Sequence, residues 1–171
     1  FWSVRNGGTS TPNTGPGSDN SGTGNYIYTE ASAGTPAQVA EMFMPPIDVS
    51  ALTSPELRFW YHMRGATMGT LHVDVQSANG TWTSSIWNVS GQQQATAGAA
   101  YIEAIVDMSA FAGDTVVIRF RGVRGSANTG DIAIDDVSVD EAPSCPEPMT
   151  LAGSNVTNSS VDLSWVTGGA T

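Results

Sequence analysis

The sequence contains no lysine and a single cysteine, and both shortages narrow the classes of protein to which it can belong. Its six cationic side chains are all arginine, against sixteen Asp and Glu residues, so the formal net charge is −10. A protein that binds nucleic acid or docks on anionic lipid needs a basic patch to neutralise phosphates, and this charge balance argues against both. The lone cysteine, Cys145, excludes a disulfide framework within the chain.

Long apolar runs are missing as well. No segment approaches the roughly 20 consecutive apolar residues that a membrane-spanning helix requires, so we expect no membrane insertion. The chain is instead rich in turn-forming residues, with 19 Gly and 9 Pro. Its polarity comes mostly from Thr, Ser and Asn, which suit short strands and loops better than helices. Because 40% of the residues are hydrophobic, the chain is too apolar to be disordered.

Alternating apolar residues predict where the strands lie. The clearest pattern runs from Leu57 to Met63, and a second one runs from Leu71 to Val75. The short stretch between them predicts a tight turn, so we expect these two strands to pair as a β-hairpin with His62 opposite Leu71. The same pattern predicts further strands at 26–30, 81–89, 101–107, 115–121 and 131–140. We therefore predict an all-β antiparallel sandwich of jelly-roll type with little or no helix.

Two stretches without alternation divide the chain. Residues 6–25 are almost entirely Gly, Thr, Ser, Pro and Asn, which predicts a long loop that is either functional or held down by other contacts. Near Ala142 the composition becomes Pro-rich. We predict a domain at 1–140, a linker at 141–150 and the beginning of a second domain at 151–171. A segment that short cannot bury a core alone, so the second domain is expected to continue beyond Thr171.

Five sequence patterns occur in a fixed order along the chain. They are TSTPNTGPGSD (9–19), GTGNYIYTEAS (22–32), LRFWYHMRGATMGTLHVDV (57–75), VDMSAFAGDTVVIRFRGVRG (106–125) and DIAIDDVSV (131–139). In this order they resemble the MAM domain family, named for meprin, A5 antigen and receptor phosphatase mu. The resemblance implies a non-enzymatic module in an extracellular or cell-surface protein. The residues from Cys145 to Trp165 resemble the opening of a fibronectin type III domain, a pairing found in secreted multidomain bacterial proteins.

The chain departs from the family pattern at two places. Family members begin with a segment carrying a Phe-Glu pair before the position of Trp2, so we expect the first strand to be missing at one edge of the sandwich. A strand from a neighbouring copy could fill such an edge in a filament or repeat array. In addition, Asn20-Ser21 stands where His-Thr is usual.

The last predicted strand changes phase in its middle. Ile132 and Ile134 follow one alternation and Val137 follows the opposite one, which predicts a β-bulge at Asp135-Asp136. A bulge turns adjacent carboxylates toward a common point, where they repel each other unless a cation lies between them.

A structural Ca²⁺ site is the interpretation that these acids favour. We predict Asp135 and Asp136 as ligands, with Asp19 as a third and Glu30 as a weaker fourth. Carbonyl groups of residues 21–24 could complete the roughly six or more oxygen donors that Ca²⁺ prefers. Jelly-roll binding modules similar to this one carry such an ion. The alternative is that these acids are solvated surface groups.

Candidate ligand-binding residues come from the aromatic and arginine side chains. Flat aromatic rings stack on sugar rings, so Trp82 and Trp87, with Arg121 and Arg124, are the residues predicted to bind a polysaccharide. The alternative is that tryptophans pack in the core. No G-x-S-x-G motif is present and Cys145 has no histidine near it in sequence, so we predict no catalytic residue.

The sequence thus predicts a non-catalytic adhesion or interaction module of a large secreted or cell-surface protein, with an extracellular protein or polysaccharide as its partner. Two alternatives stay open. One is a carbohydrate-binding accessory domain of a secreted hydrolase, and the other is an accessory domain of a secreted metallopeptidase, as MAM domains are beside some metalloproteases.

Overall fold

A computed structural model describes residues 1–143 and 149–166. The chain divides into two compact units, Phe1–Asp140 and Glu141–Thr171. Parts of the predicted linker at 141–150 and of the segment at 151–171 lie outside the described residues, and so does Cys145. Within the described part of the chain, no helix has the length and apolarity needed to cross a membrane.

The first unit is built from ten strands and two short 3-10 helices. The helices span Ala31–Ala33 and Ser109–Phe111. The strands are β1 (Trp2–Arg5), β2 (Tyr26–Thr29), β3 (Val39–Phe43), β4 (Ile47–Asp48), β5 (Pro55–Met63), β6 (Thr70–Gln76), β7 (Trp82–Ser90), β8 (Ile102–Asp107), β9 (Thr115–Val123) and β10 (Ile132–Glu141).

These strands form two sheets. The first sheet has the order β1-β2-β10-β5-β8, and the second has the order β3-β9-β6-β7 with β4 also paired to β9. The strand pairs described for both sheets are antiparallel. This architecture confirms the predicted all-β antiparallel sandwich.

The core lies between the two sheets and follows the alternation read from the sequence. On β5 the side chains of Leu57, Phe59 and Met63 are completely buried. The ring of Phe59 meets the ring of Phe120 edge-on, with centroids 5.0 Å apart, and that of Trp87 at 5.1 Å. Aromatic rings prefer such perpendicular packing because the positive edge of one faces the negative face of the other.

The predicted hairpin between β5 and β6 is wrong. β5 pairs with β8 in the first sheet, whereas β6 pairs with β7 and β9 in the second. Leu71 therefore lies opposite Val89 and Gly122, not opposite His62. The alternation of apolar residues shows that each strand buries one face. It does not show whether two strands pair side by side in one sheet or face each other across the core, because the alternation is the same in both cases.

A glycine permits the crossing from one sheet to the other. A Cβ atom on Gly69 would overlap the carbonyl oxygen of Val123, the last residue of β9. The backbone at Gly69 can approach β9 this closely only without a side chain. The segment after β5 therefore leads the chain to the other sheet instead of closing a hairpin.

The long loop at 6–25 is held down on the outer face of the first sheet. Tyr26 donates its hydroxyl to the carbonyl of Gly7 at 2.7 Å, and Tyr101 donates to the carbonyl of Ser18 at 3.1 Å. The rings of Tyr26 and Tyr101 belong to a second buried cluster, separate from the main core, that also includes Tyr28. Of the two possibilities left open for this loop, these contacts establish that it is held in place.

At one edge of the first sheet, β1 pairs with β2, and the indole Nε1 of Trp2 donates to the carbonyl of Ala40 on β3 at 3.1 Å. The expected missing strand concerns residues before Phe1 and stays a prediction.

The second unit contains one antiparallel strand pair. β11 (Met149–Ser154) pairs with β12 (Asp162–Val166), and the register shifts between Met149 and Ala152. The relation of this unit to a fibronectin type III domain stays a prediction.

Candidate functional site

The first candidate site lies where the loop at 18–24 meets the middle of β10. The predicted change of phase is present, because Asp136 has a φ of +45° within the strand. Ile134 before it and Val137 after it pack against the same core. A non-glycine residue in the left-handed region is uncommon and marks a local constraint on the backbone. This irregularity turns the carboxylates of Asp135 and Asp136 toward the loop.

Asn20 joins the loop to both aspartates. Its backbone amide donates to Oδ2 of Asp135 at 2.9 Å, and its side-chain amide donates to Oδ2 of Asp136 at 2.9 Å. The other oxygen of Asp135, Oδ1, accepts from the backbone amide of Asp136 at 3.0 Å. Asn20, which the sequence analysis noted only as a departure from the family pattern, is therefore a structural residue of this site.

Asp19 contributes a buried carboxylate, one oxygen of which has no hydrogen-bond partner. Only 6% of the residue is exposed, and its Oδ2 accepts hydrogen bonds from the backbone amide and the hydroxyl of Ser21. Its Oδ1 is buried and has no hydrogen-bond partner. Buried carboxylate oxygens are almost always paired, so an unpaired one requires an explanation.

Electrostatic effects connect these acids. The hydroxyl of Ser21 holds the pKa of Asp19 below its usual value. Burial raises the pKa of Asp135, and the nearby charges of Asp136 and Asp19 raise it further. Asp135 is thus repelled by both neighbouring acids, and Asn20 neutralises none of their charge.

Glu30, the predicted fourth ligand, is engaged elsewhere. It precedes the helix at Ala31–Ala33, and its Oε1 accepts from the backbone amide of Ser32 at 3.1 Å and from the hydroxyl of Ser32 at 2.7 Å. This is an N-cap arrangement. Over residues 1–143 and 149–166, no group of three or more His, Cys, Asp or Glu side chains converges in a way that could hold a metal through side chains alone.

A second candidate site covers the outer face of the second sheet. Its centre is Asp74 on β6, which is completely buried although it points away from the core. Asp74 accepts hydrogen bonds from Arg119 and Arg121 on β9 and, at 2.7 Å, from the backbone amide of Ser85 on β7. Arg119 also pairs with Glu41 on β3 at 2.8 Å. We call Glu41, Asp74, Arg119 and Arg121 the charge cluster.

The charge cluster spans three neighbouring strands of the sheet, β3, β9 and β6, and two aromatic rings lie over it. The Cζ atom of Arg119 lies 4.4 Å from the ring centroid of Trp82 and 5.9 Å from that of Phe43. The two rings meet edge-on at 5.9 Å, with an angle of 68° between their planes. A guanidinium at this distance from an indole face is a favourable cation–π contact.

The four residues predicted to bind a polysaccharide do not come together. Trp82 and Arg121 lie on this outer face. Trp87 lies elsewhere, because its ring packs against Phe59 and, at 5.4 Å, against Tyr61 in the core, and its role in ligand binding stays a prediction. Trp82 lies opposite Gln76 on β6, whereas Trp87 lies opposite the buried Val73. The register between β6 and β7 shifts between these two positions, so their spacing in the sequence does not decide which face each occupies.

Arg124 lies in a different place again. It donates to the carbonyls of Ala31 and Gly125, and its side chain packs against Gly34. It lines a groove between β1 and β3.

Asp74 and Arg119, in contrast, are site residues that the sequence analysis missed. Each was visible in the sequence only as a charged residue between the buried apolar residues of an alternating strand.

Comparison with known proteins identifies the sequence family that this chain resembles. A sequence model of the family described as "MAM domain, meprin/A5/mu" matches residues 1–146. Neuropilin-1a of Danio rerio is 34% identical over 142 residues, which cover 81% of this chain and 15% of that protein. The MAM domain-containing glycosylphosphatidylinositol anchor protein 1 of Rattus norvegicus is 36% identical over 138 residues, covering 79% and 14%. The chain thus spans only about 15% of the length of such relatives.

Among solved structures, the K1 cleaved adhesin domain of Lys-gingipain from Porphyromonas gingivalis superposes with a TM-score of 0.53 at 17% identity. The match covers 82% of this chain and 90% of that domain. At this level of identity the likeness concerns the fold alone.

Proposed function

Because this chain belongs to the MAM domain family, we propose that it is a non-catalytic interaction module of an extracellular or cell-surface protein and that a bound Ca²⁺ ion stabilises it. The family match over residues 1–146 carries the proposal. The relative from Rattus norvegicus is by its name a glycosylphosphatidylinositol anchor protein, which supports a place at the cell surface. An acidic surface, with a net charge of −10, suits a module that takes up divalent cations.

The buried, unpaired Oδ1 of Asp19 is the observation that supports the Ca²⁺ ion. Asp135 and Asp136 are joined to the neighbouring residue Asn20 by hydrogen bonds, and the charge of Asp19 raises the pKa of Asp135. Ca²⁺ takes roughly six to eight oxygen ligands and accepts carboxylates, backbone carbonyls and water together. Asp19 and Asp135 would hold the ion, with Asp136 and carbonyls of the loop at 21–24 completing its shell. The ion would supply positive charge beside these acids and would connect the loop to β10.

Thermal unfolding of the whole chain in Ca²⁺ and in EDTA tests this role. A ligand that binds only the folded state adds about 2.7 kcal/mol of stability at a concentration of ~100 times its Kd. We expect Ca²⁺ to raise the Tm of the wild type and to leave the Tm of Asp19→Asn and Asp135→Asn unchanged.

Two further variants serve as controls for the Ca²⁺ site. Asp140→Asn removes an exposed carboxylate from the same strand, and Glu30→Gln removes the charge of the capping residue, which is engaged with Ser32. Both are expected to keep the response to Ca²⁺. Equal melting temperatures of the wild type in Ca²⁺ and in EDTA would contradict the proposal.

A further inference from the structure

We infer that the outer face of the second sheet is a binding surface for an uncharged polysaccharide, with Trp82 as the ring on which a sugar stacks. The inference rests on the proposed role as an interaction module and names the chemical class of its partner.

Trp82 is partly exposed on β7, at the edge of the second sheet. Arg119 packs on one face of the indole, 4.4 Å from its centroid, and only 17% of the Arg119 side chain is exposed. Because Arg119 lies beneath the ring, the opposite face of Trp82 is the one turned outward. Phe43, which is 54% exposed, stands at 68° to the indole and forms a wall at its side.

This shape suits a pyranose ring. One face of a pyranose carries several C–H groups, whose hydrogens bear partial positive charge. The face of an aromatic ring is negative, so the two attract each other when they lie flat together. A perpendicular wall such as Phe43 limits how the sugar can lie on Trp82 and so favours one orientation.

The charges beneath the aromatic rings exclude a charged ligand as the preferred partner. Arg119 and Arg121 carry two positive charges, and Asp74 and Glu41 carry two negative charges, so the charge cluster has no net charge. Asp74 binds Nε and Nη2 of Arg121 and Nε and Nη2 of Arg119. An anionic ligand that drew either arginine away would deprive a completely buried carboxylate of that partner, which is strongly unfavourable. The net charge of −10 also repels polyanions.

Polar groups around Trp82 are already held in place. Ser85 lies 3.0 Å from Nδ1 of His72 and accepts from Arg121 at 3.2 Å. Gln76, directly opposite Trp82 on β6, donates its amide to the carbonyl of Gly80 at 2.9 Å. Side chains fixed before binding lose little conformational entropy when a ligand arrives, which favours binding through a small surface.

Affinity electrophoresis of the whole chain tests the surface. The gels would contain hydroxyethylcellulose, xylan or galactomannan as uncharged polymers, and polygalacturonate as the anionic one. We expect at least one uncharged polymer to retard the wild type and polygalacturonate to have no effect. Trp82→Ala is expected to weaken the binding about tenfold or more, and Trp82→Phe to restore part of it, with far-UV circular dichroism confirming that both variants fold.

Phe1→Ala is the matched control, since Phe1 is an aromatic residue that is 92% exposed beside β1, in the other sheet. It is expected to bind like the wild type. The inference is overturned if none of the uncharged polymers retards the wild type, if polygalacturonate retards it more strongly, or if Trp82→Ala binds normally.

Failure of the polysaccharide inference can be told apart from failure of the interaction role. If sedimentation velocity instead shows Trp82-dependent self-association, or if the face captures an extracellular protein, the ligand class is wrong while the interaction module stands. If the chain releases reducing sugar ends from a polymer that it binds, it is an enzyme and the non-catalytic proposal fails instead.

Discussion

Arg121 donates two hydrogen bonds to Asp74, from Nε to Oδ2 at 2.9 Å and from Nη2 to Oδ1 at 3.1 Å. Asp74 is completely buried, whereas the side chain of Arg121 keeps 20% of its surface exposed. Burial by itself raises the pKa of Asp74, but the hydrogen bonds from Arg121, Ser85 and Arg119 outweigh it and bring that pKa to about 2. Asp74 is therefore charged at neutral pH, and its neighbours depend on that charge.

Replacing Asp74 should be far more damaging than replacing the other acid of the charge cluster. Asp74→Ala leaves Arg119 and Arg121 facing each other without their shared carboxylate, and breaking a buried pair in this way costs about 3–5 kcal/mol. Glu41→Ala removes an exposed partner of Arg119, which costs about 1 kcal/mol or less. Urea denaturation of the two variants measures both losses, and equal losses would show that Asp74 does not anchor the cluster.

The pH dependence of stability should reveal two opposing buried groups. Burial lowers the pKa of His62 from 6.5 to about 4, and burial raises the pKa of Asp131 from 3.8 to about 6. The unfolded chain protonates His62 first, so this histidine makes the protein less stable as the pH falls from 6.5 to 4. The folded chain keeps the proton on Asp131, so this aspartate makes the protein less stable as the pH rises from 3.8 to 6.

Each shift corresponds to about 3 kcal/mol, at ~1.4 kcal/mol for one pKa unit. The two effects nearly cancel between pH 4 and 6 in the wild type. We expect His62→Phe to lose stability as the pH rises through that window, and Asp131→Asn to lose stability as the pH falls through it. Free energies of unfolding in urea at several pH values, in EDTA, measure the slopes. Parallel profiles for the two variants would show that the assignment is wrong.

The crossing between the sheets should not tolerate a side chain at Gly69. A Cβ atom there would overlap the carbonyl oxygen of Val123, so Gly69→Ala must push β9 and the crossing segment apart. We expect a loss of stability of about 3 kcal/mol or more, the range of severe steric changes. Gly98→Ala is the control, because nothing lies within 4 Å of a Cβ at Gly98. Chemical denaturation compares the two, and a Gly69 variant as stable as the control would contradict this role.

The site at Asp19, Asp135 and Asp136 shows how much of a site could be predicted from the sequence. The phase change between Ile134 and Val137 correctly predicted the irregular backbone at Asp136, because side-chain alternation in a strand has a strict period of two. The sequence could not show that Asn20 would reach both aspartates, since 115 residues separate Asn20 from Asp135. Contacts across such a distance depend on how the loop at 6–25 lies on the sheet.

Less of the outer face of the second sheet could be predicted from the sequence. Trp82 and Arg121 were among the predicted ligand-binding residues, but Trp87 was assigned to the same surface although its ring packs in the core. Asp74 and Arg119 were not singled out, because a charged residue at an outward position is usually solvated. Only the pairing of β6 with β9, which puts Asp74 opposite Arg119, makes it a buried centre.

The sequence by itself determined the fold class and the family of this protein. Gly and Pro in quantity, alternating apolar residues and an ordered set of short motifs are local features, and they specify short strands with one buried face each. Only the tertiary structure decided which strands pair, where β5 and β6 lie, and how Asp74 and Arg121 meet across 47 positions. The reason is physical. Alternation reports that a face is buried, whereas pairing depends on backbone hydrogen bonds between segments that are distant in the chain.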